Sequence, residues 1–208
     1  MTHTLHRRGT LESLRTDYVV FGITAQQFNG KGSAVLLKQF FSIVEPFNPT
    51  NMGDMRQGSK LSVPASELPN GVGDNSIVHA VFNDVETVEK VVAALKKADL
   101  GISIVVSSLC DDVAKVAKNT GLKLHTQEVS LGIHGNLKRL APEEFLHVST
   151  QCGHGLIASS LVKAMVEKIK KGKITPLAAS EEICKQCTCG VGNIKRTEAL
   201  LKDMAGVA

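Results

Sequence analysis

Hydrophobic positions fall into two regimes along the chain. In the first, short apolar runs alternate with amphipathic stretches. Residues 17–24 (Asp-Tyr-Val-Val-Phe-Gly-Ile-Thr) are almost continuous hydrocarbon over the length of one strand, the pattern of a strand covered on both faces. A Gly-rich loop, Asn29-Gly30-Lys31-Gly32-Ser33, follows, and the spacing over 34–44 predicts a helix. Residues 45–75 are dense in Pro, Gly, Asn and Ser and read as irregular connection. A second strand is predicted over 76–82, a helix with outward Lys and Glu over 85–98, and a third strand over 101–107. A helix over 111–118 and a longer extended segment over 122–133 complete the alternation, which points to a layered α/β arrangement.

Beyond Pro142 the period changes to that of helices. Ile157, Leu161, Met165 and Ile169 recur every four residues with Val162 and Val166 beside them, giving an amphipathic helix from near Leu156 to Gly172. Thr175-Pro176 supplies an N-cap and a proline at the first helical position for a helix reaching about Cys184. Asn193 caps a last helix carrying Ile194, Leu200, Leu201 and Met204. The expected fold class is therefore α/β: a small layered domain over 1–145, then a C-terminal helical segment over 146–208 that is either separate or packed on the sheet.

Composition narrows the picture without naming a function. A chain of 208 residues with 43% hydrophobic and 21% charged residues has the make-up of a globular protein with a real core. No apolar run reaches the roughly 18 residues of a membrane span. The basic N-terminus, Met1-Thr-His-Thr-Leu-His-Arg-Arg, lacks the apolar stretch of a secretory signal, so a cytoplasmic protein with no membrane partner is expected. The formal charge of +4 has a location: residues 1–150 balance, while from 151 onward nine Lys or Arg face five Asp or Glu. That excess suits a nucleic-acid surface in charge, but the absence of Trp, the single Tyr and the lack of basic–aromatic interleaving argue against it. A solvated helix face is the plainer account.

The chemistry concentrates in the same segment. Four of five cysteines lie there, as Cys152-Gly-His154-Gly and Cys184-x-x-Cys187-x-Cys189-Gly. In a cytoplasmic chain such grouping points to metal or redox work rather than disulfides, and an odd count cannot pair completely. The predicted helices put Cys152 with His154, and Cys187 with Cys189, just ahead of two helix N-termini, where unpaired amides should lower thiol pKa values. Cys152, Cys187 and Cys189 then form a three-thiolate core, with Cys184 or His154 as fourth ligand. Four sulfurs suit an iron–sulfur cluster (4Fe–4S) or zinc, and three sulfurs with one imidazole suit zinc. The compact run with one remote cysteine and flanking glycines favours iron–sulfur first and zinc second. A metal-free Cys184/Cys187 redox pair ranks below both, because Cys184 falls at a helix end rather than a helix start.

Weaker signals stand elsewhere. Gly30, Lys31, Gly32 and Ser33 lie between a strand and a helix, as phosphate loops do, but the Walker spacing fails; a loose anion contact or a plain turn is what remains. His134 falls in a Gly-flanked turn, and Cys110 at a helix start reads as an isolated thiol. The functional expectation is an iron–sulfur or other thiolate-metal protein of anaerobic metabolism, either an oxidoreductase component or a factor that assembles or activates a metallocofactor. The alternatives are a binding module with structural zinc, and nucleic-acid binding through the basic tail. Small-molecule or protein partners and homo-oligomers are both compatible with the chain, and no reaction follows from it.

Overall fold

A computed structural model describes residues 4–207; the first three residues of the basic N-terminus lie outside them. Each long helix and strand of the first half follows its side-chain pattern. Strand β1 (Tyr18–Ile23) leads into helix α2 (Ala34–Val44), preceded by one helical turn, α1 (Leu11–Leu14). Short strands β2 (Asn51–Asp54) and β3 (Gly58–Ser59) come next, then β4 (Val78–Phe82), α3 (Val85–Ala98), β5 (Ser103–Ser107) and α4 (Cys110–Asn119). The strands form one five-stranded sheet of order β3-β2-β4-β1-β5 in which every pairing is antiparallel.

The apolar run of β1 is continuous because both of its faces are covered. Tyr18 and Val20 pack with Leu37, Phe40 and Phe41 of α2 and with Val88, Val91 and Leu95 of α3. Val19 and Phe21 point the other way, into a second core with Val148, Val162, Met165, Ile183 and Leu201. Those residues belong to the C-terminal helices α5 (Glu143–Ser149), α6 (Ser159–Lys170), α7 (Pro176–Lys185) and α8 (Ile194–Ala205). The C-terminal helical segment thus packs on the sheet face opposite α2 and α3. Its helices start as the sequence predicts: Thr175 accepts from Ala178 N at 3.2 Å, and Asn193 accepts from Arg196 N at 3.0 Å.

Two stretches differ from their sequence patterns. The irregular segment 45–75 contains β2 and β3. Hydrophobicity does not mark β2, because its four buried residues, Asn-Met-Gly-Asp, include a single hydrocarbon side chain. Conversely, the extended segment 122–133 forms no strand. Its backbone makes no backbone–backbone hydrogen bond from residue 123 to residue 134 among the described residues, and Leu131 is 84% exposed. Gly132 and Gly135 at positive φ interrupt the run just where a strand would continue.

Candidate functional site

The cysteine loops sit at the junction of α5–α6 and of α7–α8, on the sheet face that the C-terminal helices cover. Cys152 follows α5 in the turn 150–155, and Cys187 and Cys189 lie in the turn between α7 and α8. Residues distant in sequence hold these turns in place. Asn51 of β2 donates its one amide group to Gly190 O at 2.7 Å and Gly192 O at 3.0 Å. His79 of β4, wholly buried, lies 2.7 Å from Cys189 O through Nε2; a carbonyl only accepts, so Nε2 carries the proton. Gly190 has φ of +73°, and a Cβ there would come within 2.6 Å of Ser59 Cβ, so no larger residue lets the loop lie this close to the sheet.

A buried polar network joins the two turns. Gln151, next to Cys152, accepts from Asn193 N at 3.0 Å and donates to Thr197 Oγ1 at 2.8 Å. Asn193 Nδ2 donates to Asp17 at 3.0 Å and to Thr16 O at 2.9 Å. Asp17 in turn pairs with both Arg7 and Arg196, all three nearly solvent-free. Burial alone would raise the Asp17 carboxyl; the guanidinium groups of Arg7 and Arg196, with Asn193, overcome it and hold the group below the ordinary carboxylate range. Arg7 also donates to Val191 O at 2.6 Å, inside the cysteine turn. None of these tethers has a sequence signature, because each bond that ties a turn to another segment links residues more than 40 positions apart; only the N-cap role of Asn193 is legible.

The structure arranges four of the five predicted ligands as two pairs and sets the fifth apart. Cys152 and Cys187, 2% and 3% exposed, are in hydrogen-bonding contact. Cys189 Sγ lies 3.5 Å from His154 Nδ1. Electrostatics couples the two pairs, since Cys152 acts on Cys189 and His154 acts on Cys152. Cys184 points into the core between α7 and α8, where its thiol lies 3.6 Å from Thr197 Oγ1. The Thr197 hydroxyl already donates to Asn193 O at 2.8 Å, so the Cys184 S–H is the donor. Burial pushes the Cys184 thiol up to about 12, the state of an inert core thiol.

The expected lowering of every loop thiol holds for Cys152 alone. The Cys187 S–H bonded to it, helped by the amides of Leu156 and His154, lowers Cys152 against the cost of burial. Cys187 is raised, first by that same bond to the Cys152 thiolate and then by burial, and burial also raises Cys189. Of the two thiols, Cys152 is therefore the readier to lose its proton. The geometric reason is that α6 begins at Ser159 and α8 at Ile194, several residues beyond the thiols. The Cys187 thiol first, and turn amides after it, lower Cys152; helix ends do not. Among the described residues, no three His, Cys, Asp or Glu side chains converge on one metal position. The donors stand as two adjacent pairs.

The remaining sequence candidates have ordinary partners. Gly32 N and Ala34 N donate to Asp74 at 2.8 and 2.9 Å, and Ser33 Oγ donates to Gly30 O at 2.7 Å, so the amides of the Gly30–Ser33 loop already face a carboxylate; Lys31 is exposed. His134 lies 3.1 Å from Leu131 O within its own turn. Cys110 is exposed at the start of α4. Lys163 and Lys170 of the basic segment share a surface with Glu144, Glu167 and Asp203, a mixed rather than a cationic face. No described helix is long and apolar enough to cross a membrane. No protein-family model matches the chain, and neither a curated protein nor a solved structure is significantly similar to it.

Proposed function

We propose that the protein holds a thiolate-bound metal centre on Cys152, Cys187, Cys189 and His154. The observation that carries this reading is the pair geometry. Around a tetrahedral ion with sulfur at about 2.3 Å and nitrogen at about 2.0 Å, two sulfurs stand about 3.8 Å apart and a sulfur and a nitrogen about 3.5 Å apart. The Cys189–His154 separation of 3.5 Å matches one edge of such a tetrahedron, and Cys152 with the Cys187 thiol bonded to it supplies the sulfurs for another. Loading needs the two edges to close on a common ion and the thiol protons of Cys187 and Cys189 to leave, so affinity rises with pH. Three thiolates and one imidazole suit zinc. The imidazole corner is the exposed one, so the centre opens to solvent on that side.

The compact Cys184-x-x-Cys187-x-Cys189 run with remote Cys152 supports a second reading, a four-thiolate iron–sulfur cluster in an oxidoreductase component or metallocofactor factor of anaerobic metabolism. It needs Cys184 to leave Thr197. Anaerobic purification with zinc, iron and sulfide analysis of wild type, Cys184→Ala and Cys187→Ala separates the readings. One zinc per chain, kept in Cys184→Ala and lost in Cys187→Ala, is the expected result. Iron and labile sulfide that vanish in Cys184→Ala would replace zinc by the cluster. A wild-type protein that retains and takes up neither zinc nor iron would end both.

A further inference from the structure

The sheet ends at β5 in an open edge. One side of β5 pairs with β1, and the other has no backbone partner among the described residues. Residues 122–126, just past α4, line a cavity of about 560 Å³ together with that edge and make no backbone bond to it. Small-molecule sites have volumes of about 300–1,000 Å³, so the cavity is large enough to hold a ligand. Hydrocarbon lines most of it: Ile102, Ile104 and Val106 from the strand side, Leu122 and Leu124 from the segment. Deeper in lie Val92, Leu95 and Val116, all nearly solvent-free. Ile104 and Val106 pack on the core yet stay partly exposed, and Leu122 and Leu124 are 39% and 48% exposed. The cavity thus leaves apolar surface unburied on two sides. None of the thiols in the cysteine turns lines it.

The ionisable groups in the lining are Lys96, Asp99, Lys123 and His125. With His125 neutral, two lysines against one carboxylate leave a formal charge of +1. Lys96 Nζ donates to Thr120 O at 2.7 Å and Gly121 O at 3.1 Å, which holds it beside the start of the segment that carries Lys123. The cationic groups therefore share the end of the cavity where β5 begins. From Ile102 to Val106 the chain runs about 13 Å at about 3.3 Å per residue, room for a tail of about ten carbons. We infer that this cavity binds a monoanionic amphiphile, a straight-chain carboxylate with its tail along Ile102, Ile104 and Val106 and its head at Lys96 and Lys123. The tail covers the apolar surface that the segment leaves open, and residues 122–126 close over it. This site needs no metal and is independent of the thiol centre.

Calorimetric titration of the full chain with decanoate and with decylammonium, each below its micelle concentration, tests the assignment. The two probes share a tail and differ in head charge. Decanoate should bind once per chain and about tenfold more tightly than decylammonium. Lys123→Glu, at an exposed position, should reverse that order. Ile104→Phe fills the tail site and should weaken both probes about tenfold or more. Should Ile104→Phe fail to fold by circular dichroism, Leu124→Asn sets an amide against the tail from a half-exposed position and should weaken both as well. Amides 123–126 should exchange quickly in the free protein and slowly with decanoate bound. The proposal is overturned by a wild type without saturable decanoate binding, by equal affinity for the two heads, or by unchanged binding in the folded cavity variants. Amides 123–126 protected before any ligand is added would also overturn it, because the segment would then fill the cavity itself.

Discussion

The two faces of the sheet are built from different materials. Against α2 and α3, the centre of the layer is hydrocarbon: Leu37, Phe40, Phe41, Val88, Val91 and Leu95 on Tyr18 and Val20. Against α5–α8, hydrocarbon shares the interior with Asn51, His79, Gln151, Asn193, Arg196 and Thr197, all buried and nearly all bonded to the cysteine turns or their caps. Hydrocarbon packing is non-directional and gives stability roughly by area. Hydrogen bonds are directional, contribute modestly to net stability and cost heavily when one partner is lost. One face therefore holds the molecule together, and the other fixes where particular atoms lie.

The largest way to break that contrast is on the apolar face. Phe40→Ala removes a fully buried ring that meets Phe41 edge-on, with ring centres 6.1 Å apart. It should cost about 3–5 kcal/mol in urea unfolding. Metal stoichiometry of the folded fraction should not change. If uptake falls with stability, the two faces are not separable as described.

A smaller loss of stability should come with a larger effect on the site when Asn51 is changed. Asn51→Ala leaves Gly190 O and Gly192 O without their shared donor, at about 1–3 kcal/mol. Chelator competition should show weaker metal binding than in Phe40→Ala, although Phe40→Ala is the less stable protein. The opposite ranking would remove the positioning role given to Asn51.

The third test is acid. The Asp17 carboxyl is more acidic folded than unfolded, so the native state binds fewer protons there. Its stabilisation is complete above the unfolded value of about 3.9 and drains away as pH falls below it through the lower folded value. Asp17→Asn should flatten the acid limb of a stability-versus-pH curve, whereas Phe40→Ala should shift the curve down without changing its slope. Parallel acid limbs in wild type and Asp17→Asn would contradict the pairing.

Much of the scaffold was legible because its signals are local. The continuous apolar run of β1 reported a doubly covered strand, the recurrence of Ile157, Leu161, Met165 and Ile169 with Val162 and Val166 beside them reported the buried stripe of α6, and Thr175 and Asn193 reported helix starts. Strand β2 was not legible, because Asn51 and Asp54 are buried for their hydrogen bonds rather than for hydrophobicity. Segment 122–133, read as extended, joins no strand of the sheet. At the site, residue types and loop placement were readable, while the environment of each thiol was not. Cys184, two residues before Gln186 and three before Cys187, belongs to the same short motif yet faces the core instead of its neighbours.

The sequence by itself determined which residues can do metal chemistry, that Cys152, His154, Cys187 and Cys189 fall in two loops ahead of helices, and that a strand covered on both faces lies in the first half of the chain. Periodicity, capping and donor type act over a few residues, so they can be read from a few residues. Only the tertiary structure decided that His154 lies beside Cys189 while Cys184 faces Thr197, that Cys152 is lowered while Cys187 is raised, and that Arg7, paired with Asp17, bonds the turn at Val191 O. Burial, hydrogen-bond partners and electrostatic neighbours depend on which distant segments meet, and no local pattern encodes that meeting.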